Sequence, residues 1–144
     1  QHQGVGYSDI LTIAAKQSGA RAFEMAGVTH SDIDLAMIYD SFTITVLATL
    51  ENLGFCPAGE GGNFVSNGGI ALGGTLPVNP DGGGLSSNHP GMRGIFLVIE
   101  AVQQLRGECD ARQVPKAELA LAHGTGGTIG DKHSGATLIL GVDR

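Results

Sequence analysis

Short apolar runs alternate with helical patterns along this chain, and this alternation constrains the fold more than any other feature. Four runs are predicted as strands, at 33–38, near 75–78, at 118–122 and at 136–142. Three helical patterns accompany them: one ending at Gly27, one over about 42–53, and one over about 95–105. The order predicts one α/β domain over residues 1–144, with a mixed or mainly parallel sheet and helices packed on its faces.

The third helical pattern is strongly amphipathic. Its apolar residues Ile95, Val98, Ile99, Val102 and Leu105 follow the i, i+3, i+4, i+7 spacing of one helix face. We therefore expect this face to anchor the helix on the sheet.

Charge and patterning exclude several classes of function. A net charge of -6 disfavours nucleic acids and anionic membrane surfaces as partners. No apolar run reaches the roughly 18 residues of a membrane span. The first residues, QHQGVGYSDI, contain no basic region followed by an apolar run, so we expect no signal peptide and a cytoplasmic location. The chain begins without methionine, and we expect it to be a fragment.

Three polar segments lie where a strand or a glycine loop meets the next element. They are Tyr39-Asp40, His89-Pro90, and the glycine turn predicted over 123–127. Ligands of open α/β sheets bind at the carboxyl ends of strands, so we expect these segments to converge on one pocket. Convergence would bring together a base, an acid and backbone donors for an oxyanion.

Each candidate side chain also has a structural interpretation. His89 is the best proton carrier on its chemistry, yet a histidine here could equally cap the loop or satisfy a buried carbonyl. Tyr39 could donate to a substrate oxygen or exchange a proton, or it could pack its ring and leave its hydroxyl in water. Asp40 is interpreted as the cap of the following helix.

Nucleotide, metal and cysteine sites are disfavoured. The glycines of HGTGGTIG begin as G-x-G, but the third falls at Gly130 instead of position 129, which is Ile129. The histidines and cysteines lack metal-ligand spacing, so we expect no metal. Cys56 and Cys109 are predicted to be free thiols.

Taken together, the segments resemble the C-terminal half of the thiolase superfamily, most of all sterol-carrier-type thiolases and the related lipid-transfer proteins. The resemblance rests on AGVTHSDIDLAMIYDSF, on NPDGGGLSSNHPGMRG with EAVQQLRGE, and on HGTGGTIGDKHSGATLIL, in that order. It covers nearly the whole chain. It implies a protein of two similar α/β halves that dimerises, and whose N-terminal half, absent here, carries a nucleophilic cysteine.

The resemblance also implies roles for individual residues. His89 matches the histidine of the Gly-His-Pro motif, with Asn88 in place of the glycine. Tyr39 falls where thiolases have asparagine and sterol-carrier-type thiolases have histidine. No cysteine stands near His123, where many thiolases place an acid/base, and His123 is the candidate to replace it. Asn88, Gly124, Gly126 and Gly127 are the candidate oxyanion and substrate contacts.

The implied function is carbon–carbon bond cleavage or formation in acyl-CoA thioesters, by a thiolase or a retro-aldol reaction of lipid or steroid side chains. The coenzyme A thioester is the substrate, and no bound cofactor is expected. The implied partners are the N-terminal half, a second copy, and a zinc-ribbon and OB-fold protein, so the chain alone is expected to be inactive. The alternative is a non-catalytic domain that binds lipid or acyl-CoA, or a scaffold.

Overall fold

The computed structural model describes residues 2–4, 11–88, 90–129 and 132–143. Within these residues one mixed sheet has four strands in the order β1-β4-β3-β2. The strands are β1 (His2–Gly4), β2 (Leu35–Ile38), β3 (Leu119–Ile129) and β4 (Lys132–Gly141). β2 runs parallel to β3, and β4 is antiparallel to both β3 and β1.

Four α-helices accompany the sheet in the described residues. They are α1 (Ala15–Ala26), α2 (Thr43–Leu53), α3 (Gly61–Val65) and α4 (Arg93–Arg106). Single 3-10 turns lie at His30–Asp32, Ser66–Gly68 and Asp110–Arg112. The three longer helices each end at a glycine in the left-handed region, Gly27, Gly54 and Gly107, where a side chain would be strained. None of the helices described is long and apolar enough to span a bilayer.

The helices cover both faces of the sheet, which confirms the predicted α/β class. Alternate residues of β2 and β3 point to opposite faces. On one face, Ile38 and Leu121 pack with Phe23 of α1 and Leu50 of α2. On the other face, α4 packs on the remaining strand residues, and this second core comprises Leu35, Met37, Ala120, Ala122, Leu97 and Ala101 among its buried members.

Of the residues predicted to face the sheet from α4, Val98 and Leu105 pack against this second core, but the prediction is wrong for Ile95 and Ile99. Ile95 and Ile99 are 53% and 46% exposed, whereas the buried side carries Arg93, Leu97, Glu100, Ala101 and Gln104. Polar groups can be buried there because they are paired. The Gln104 side chain donates to Glu100 and accepts from the backbone N–H of Val114. The residues that the structure describes therefore leave Ile95 and Ile99 uncovered on the outer side of α4.

Two further expectations are corrected. The predicted strand near 75–78 is one parallel bridge between Val78 and Ala36, because Pro77 has no N–H for a continuous ladder. The predicted glycine turn over 123–127 is instead part of β3, which continues to Ile129.

The packing of Phe23 in the core on the α1 and α2 face predicts a loss of stability when its ring is removed. Phe23 is buried, and its ring centroid lies 4.2 Å from that of His30. Replacing Phe23 by alanine should lower the free energy of unfolding by about 3–5 kcal/mol, because a large apolar ring leaves a cavity. Glu24, the exposed neighbour of Phe23, gives the control, since Glu24→Ala should change the free energy of unfolding by less than about 0.5 kcal/mol. Urea denaturation followed by circular dichroism measures both, and equal effects would contradict this packing.

Candidate active site

Tyr39 directly follows β2 at its carboxyl end. Its N–H donates to the carbonyl oxygen of His123 over 3.0 Å, which extends the parallel pairing of Ile38 with His123 by one residue. The side chain is half-buried and packs against the core on the α4 face. Backbone pairing with β3 thus determines where Tyr39 lies.

His123 is fully buried on the opposite face of the sheet. Its Nδ1 shares a hydrogen bond of 2.9 Å with Oγ1 of Thr137, and the same oxygen lies 2.8 Å from Oγ of Ser18 in α1. Tyr39 and His123 are therefore joined through the backbone, while their side chains point to different faces. The catalytic role of the His123 side chain stays a prediction that this arrangement does not favour.

Asp40 binds the glycine loop, which comprises Gly82–Gly84 and Leu85. The sequence interpretation of Asp40 as a helix cap is therefore wrong. Asp40 is only 5% exposed. The N–H of Gly84 donates to Oδ1 over 2.8 Å, and the N–H of Leu85 donates to Oδ2 over 3.0 Å. Helix α2 begins with Phe42 as its N-cap and without a side-chain cap. The interpretation failed because the two N–H donors lie 44 and 45 residues further along the chain, where no local sequence pattern can show them.

The glycines of the loop are required by its closeness to Asp40. Gly83 has φ +70°, and a Cβ there would overlap Oδ2 of Asp40. A Cβ on Gly84 would lie 3.1 Å from Oδ1 of the same carboxylate. Any side chain at these positions would push the loop away from the end of β2.

A second carboxylate ties the loop to the start of α4. Oδ1 of Asp81 accepts the N–H of Gly83 over 3.0 Å, and Oδ2 lies 3.0 Å from Nη2 of Arg93. Arg93 is the first residue of α4 and is buried. The loop is thus attached to both β2 and α4.

Asn79 completes the edge of β2. Its side-chain oxygen accepts the N–H of Ile38 over 2.8 Å, and its amide nitrogen donates to the carbonyl of Ile38 over 2.9 Å. Sequence reasoning missed Asn79, Asp81 and Arg93. The run Asp-Gly-Gly-Gly was the available signal, because a carboxylate ahead of glycines often binds their N–H groups.

The remaining predicted residues are His89, Asn88 and the glycines of β3. His89 falls outside the described residues, and Asn88 beside it is exposed. A Cβ on Gly124 of β3 would lie 4.0 Å from Cα of Gly94, so β3 approaches the first turn of α4 closely. The ends of β2 and β3, the glycine loop and the start of α4 are therefore brought together.

Gly126 and Gly127 belong to an irregularity in β3. The pairing passes from Thr125 with Gly135 to Thr128 with His133, so both glycines oppose Ser134 alone. A Cβ on Gly126 would overlap Oγ of that serine. Such bulges bend a strand and redirect its backbone groups.

Two cavities open beside Leu85 of the glycine loop. The first has a volume of about 260 Å³, and its walls are formed by Asp40, Ser41, Phe42, Gly84 and Leu85. The second has about 320 Å³, and its mainly apolar walls are formed by Thr43, Val46, Leu47, Val65, Ile70 and Leu85. Leu85 lines both, so the two cavities share a wall. Both are mainly apolar, and Asp40 and Ser41 border the first, which suits a molecule with a long apolar part.

The described residues contain no group of three or more His, Cys, Asp or Glu side chains able to hold a metal ion. The two cysteines are free and buried. Burial raises the pKa of the Cys56 thiol, and the negative charges of Glu51 and Glu60 raise it further. Burial and then the charge of Glu100 likewise raise the pKa of Cys109. Both environments disfavour the reactive thiolate.

Most of the chain is similar in sequence to known proteins. The acetyl-CoA acetyltransferase of Methanothermobacter thermautotrophicus is 45% identical over 124 residues, 85% of this chain and 32% of that protein. Sterol carrier protein 2 of Bos taurus is 42% identical over 118 residues, 80% of this chain and 22% of that protein. The chain thus spans between about a fifth and a third of these relatives.

A solved structure of the Ltp2-ChsH2(DUF35) aldolase has the same fold. The match covers 99% of this chain and 38% of that one, with a TM-score of 0.81 and 35% identity. The family model described as thiolase C-terminal domain-like matches residues 1–142. The resemblance seen in the sequence is confirmed, and the chain belongs to the thiolase C-terminal domain-like family.

Proposed function

We propose that this chain is the C-terminal catalytic part of an enzyme that makes or breaks a carbon–carbon bond in acyl-CoA thioesters. One observation carries the proposal: Tyr39 lies where β2, β3, the glycine loop and α4 meet, and the 260 Å³ cavity begins at the next residue. The relatives named as an acetyl-CoA acetyltransferase and an aldolase support a reaction of this kind.

The site suits a retro-aldol cleavage. A base removes the proton of the β-hydroxyl group, its oxygen becomes a carbonyl, and the bond between Cα and Cβ breaks. The electron pair passes to the thioester as an enolate, which hydrogen-bond donors stabilise until Cα is protonated. We propose the Tyr39 hydroxyl and His89 as the groups that move these protons. The His123 carbonyl holds the backbone of Tyr39 in place.

A thiolase reaction would need a nucleophilic thiol as well. Cys56 and Cys109 are poor candidates, because both are buried with raised pKa values. The thiol would have to come from a part of the protein outside this chain. The resemblance implies such a thiol in the N-terminal half, so our preference for the retro-aldol route rests on Tyr39, which stands where thiolases have asparagine or histidine, and on the lack of a cysteine near His123.

Tyr39→Phe in the full-length protein tests the proposal. It keeps the packing of the ring and removes the hydroxyl, so kcat for β-hydroxyacyl-CoA cleavage should fall about 10²–10⁴-fold. Release of aldehyde or ketone, compared with release of acetyl-CoA, distinguishes the two reactions. Ser18→Ala is the control, since it removes a hydroxyl on the opposite face of the sheet. Unchanged kcat in Tyr39→Phe would exclude this role.

The second candidate is a domain that binds acyl chains without chemistry. The apolar 320 Å³ cavity favours it, and so does the name sterol carrier protein 2 among the relatives. Binding of a fluorescent fatty acyl probe that Val46→Asp abolishes, with no turnover of any acyl-CoA by the full-length protein, would support this candidate over the enzyme.

The thiols make a separate prediction. Cys56 and Cys109 of the folded protein should react with iodoacetamide at pH 8 much more slowly than in guanidinium chloride, because burial disfavours their thiolates. Mass spectrometry of tryptic peptides measures the extent of alkylation. Rapid alkylation of either thiol in the folded protein would contradict the environments described.

We propose the N-terminal half of the same protein as the first partner. The uncovered side of α4 presents Met92, Ile95, Phe96 and Ile99, an apolar surface that monomers rarely leave in water.

A homodimer and a zinc-ribbon and OB-fold protein remain predicted partners. The joint name Ltp2-ChsH2(DUF35) supports a two-protein assembly. Two free thiols fit the predicted cytoplasmic location.

Co-expression of the two halves as separate polypeptides tests the first partner. Ile99→Asp should reduce recovery of this chain on the tagged N-terminal half by about tenfold or more, because a charge would enter an apolar contact. Leu72→Asp is the matched control, since Leu72 is 49% exposed, against 46% for Ile99, but lies outside α4. Equal recovery of both variants would contradict this interface.

A further inference from the structure

We propose that Asp40 is a positioning residue for this reaction. It holds Gly84 and Leu85 against the end of β2 and thereby sets the width of the cavity that begins at the residue after Tyr39. The inference rests on the proposed function, and it concerns a residue that does not itself exchange protons with substrate.

The contact geometry is specific. Each carboxylate oxygen of Asp40 accepts one N–H, from Gly84 over 2.8 Å and from Leu85 over 3.0 Å. Hydrogen bonds to an ionised acceptor are stronger than those between neutral groups. Because Asp40 follows Tyr39 in the chain, these two bonds fix the loop relative to the candidate catalytic residue.

The same two bonds join the two chain segments that line the first cavity. One segment is Asp40 with Ser41 and Phe42, and the other is Gly84 with Leu85. Leu85 also lines the second, apolar cavity. The position of Leu85 therefore sets the widths of both cavities, and Asp40 holds Leu85 by its backbone.

Neighbouring charges support a positioning role over an anion-binding one. Arg93 is the nearby cation, and its Nη2 is paired with Asp81 at 3.0 Å. A Cβ on Gly84 would lie between Asp40 and this guanidinium, 3.1 Å from Oδ1 and 3.6 Å from Nε. Two carboxylates face one guanidinium here, so the cluster carries a net negative charge and would repel an anion.

The chain contains a matched control for Asp40 at the other end of β2. Oδ2 of Asp34 accepts the N–H groups of Glu118 over 2.8 Å and Leu119 over 2.9 Å. Both aspartates thus bind two consecutive backbone N–H groups of a distant segment. Asp34 lies roughly 20 Å from Asp40 along the strand, from the rise of about 3.3 Å per residue.

The experiment compares Asp40→Ala, Asp40→Asn and Asp34→Ala in the full-length protein. Hydrogen exchange of the Gly84 and Leu85 amides, which donate to Asp40, should accelerate by about tenfold or more in Asp40→Ala and stay unchanged in Asp34→Ala. The kcat for cleavage should fall about tenfold in Asp40→Ala and less than about twofold in Asp34→Ala. Asp40→Asn should be intermediate in both measurements, because asparagine keeps one acceptor oxygen.

Two results would overturn the proposal. Unchanged exchange of the loop amides in Asp40→Ala would show that the carboxylate does not hold the loop. Equal kcat in Asp40→Ala and Asp34→Ala would show that its role is only structural. Exchange of the α4 amides reports whether each variant is folded, and Asp40→Asn serves if Asp40→Ala is not.

Failure of the proposed function is distinguishable from failure of this inference. If the wild-type protein cleaves none of the acyl-CoA thioesters, the proposed function is wrong. Hydrogen exchange of the loop amides then still tests whether Asp40 holds the loop in place. Affinity for a thioether analogue of acetyl-CoA then replaces kcat. Asp40→Ala should weaken it by about fivefold or more relative to Asp34→Ala, and equal affinities would overturn the positioning role.

Discussion

The parallel pairing of β2 with β3 is the constraint on which the rest of this structure depends. It aligns Ile38 with His123 and lets Tyr39 donate to the His123 carbonyl one residue beyond the strand. Side chains alternate across a sheet, so this register also places Tyr39 on the α4 face and His123 on the α1 face. A shift of one residue would exchange the two faces and move Tyr39 away from the α4 side.

The site is then assembled by carboxylates that bind backbone N–H groups. Asp40 connects β2 to the glycine loop, and Asp81 connects the loop to Arg93 at the start of α4. The loop can approach so closely because Gly83 and Gly84 have no Cβ. Segments that are distant in sequence thereby form two adjoining cavities, one beside polar groups and the other almost entirely apolar.

Helix α4 has a role on each of its sides. Its inner side combines Leu97 and Ala101 with the paired polar groups of Glu100 and Gln104. Its outer side carries an apolar surface that includes Ile95 and Ile99. A helix with two such sides fits the contact with the N-terminal half that we propose.

The sequence by itself determined the three long helices, the strands β2 to β4 in part, the glycine stops at Gly27 and Gly54, and the family, because these depend on local spacing and on motif order. It also indicated Tyr39 as a candidate site residue, since a polar residue after an apolar run can be recognised in the sequence. Only the tertiary structure decided which face of the sheet His123 occupies, which side of α4 is buried, and that Asp40 binds Gly84 and Leu85. These depend on strand register and on partners more than 40 residues away, so no local pattern carries them.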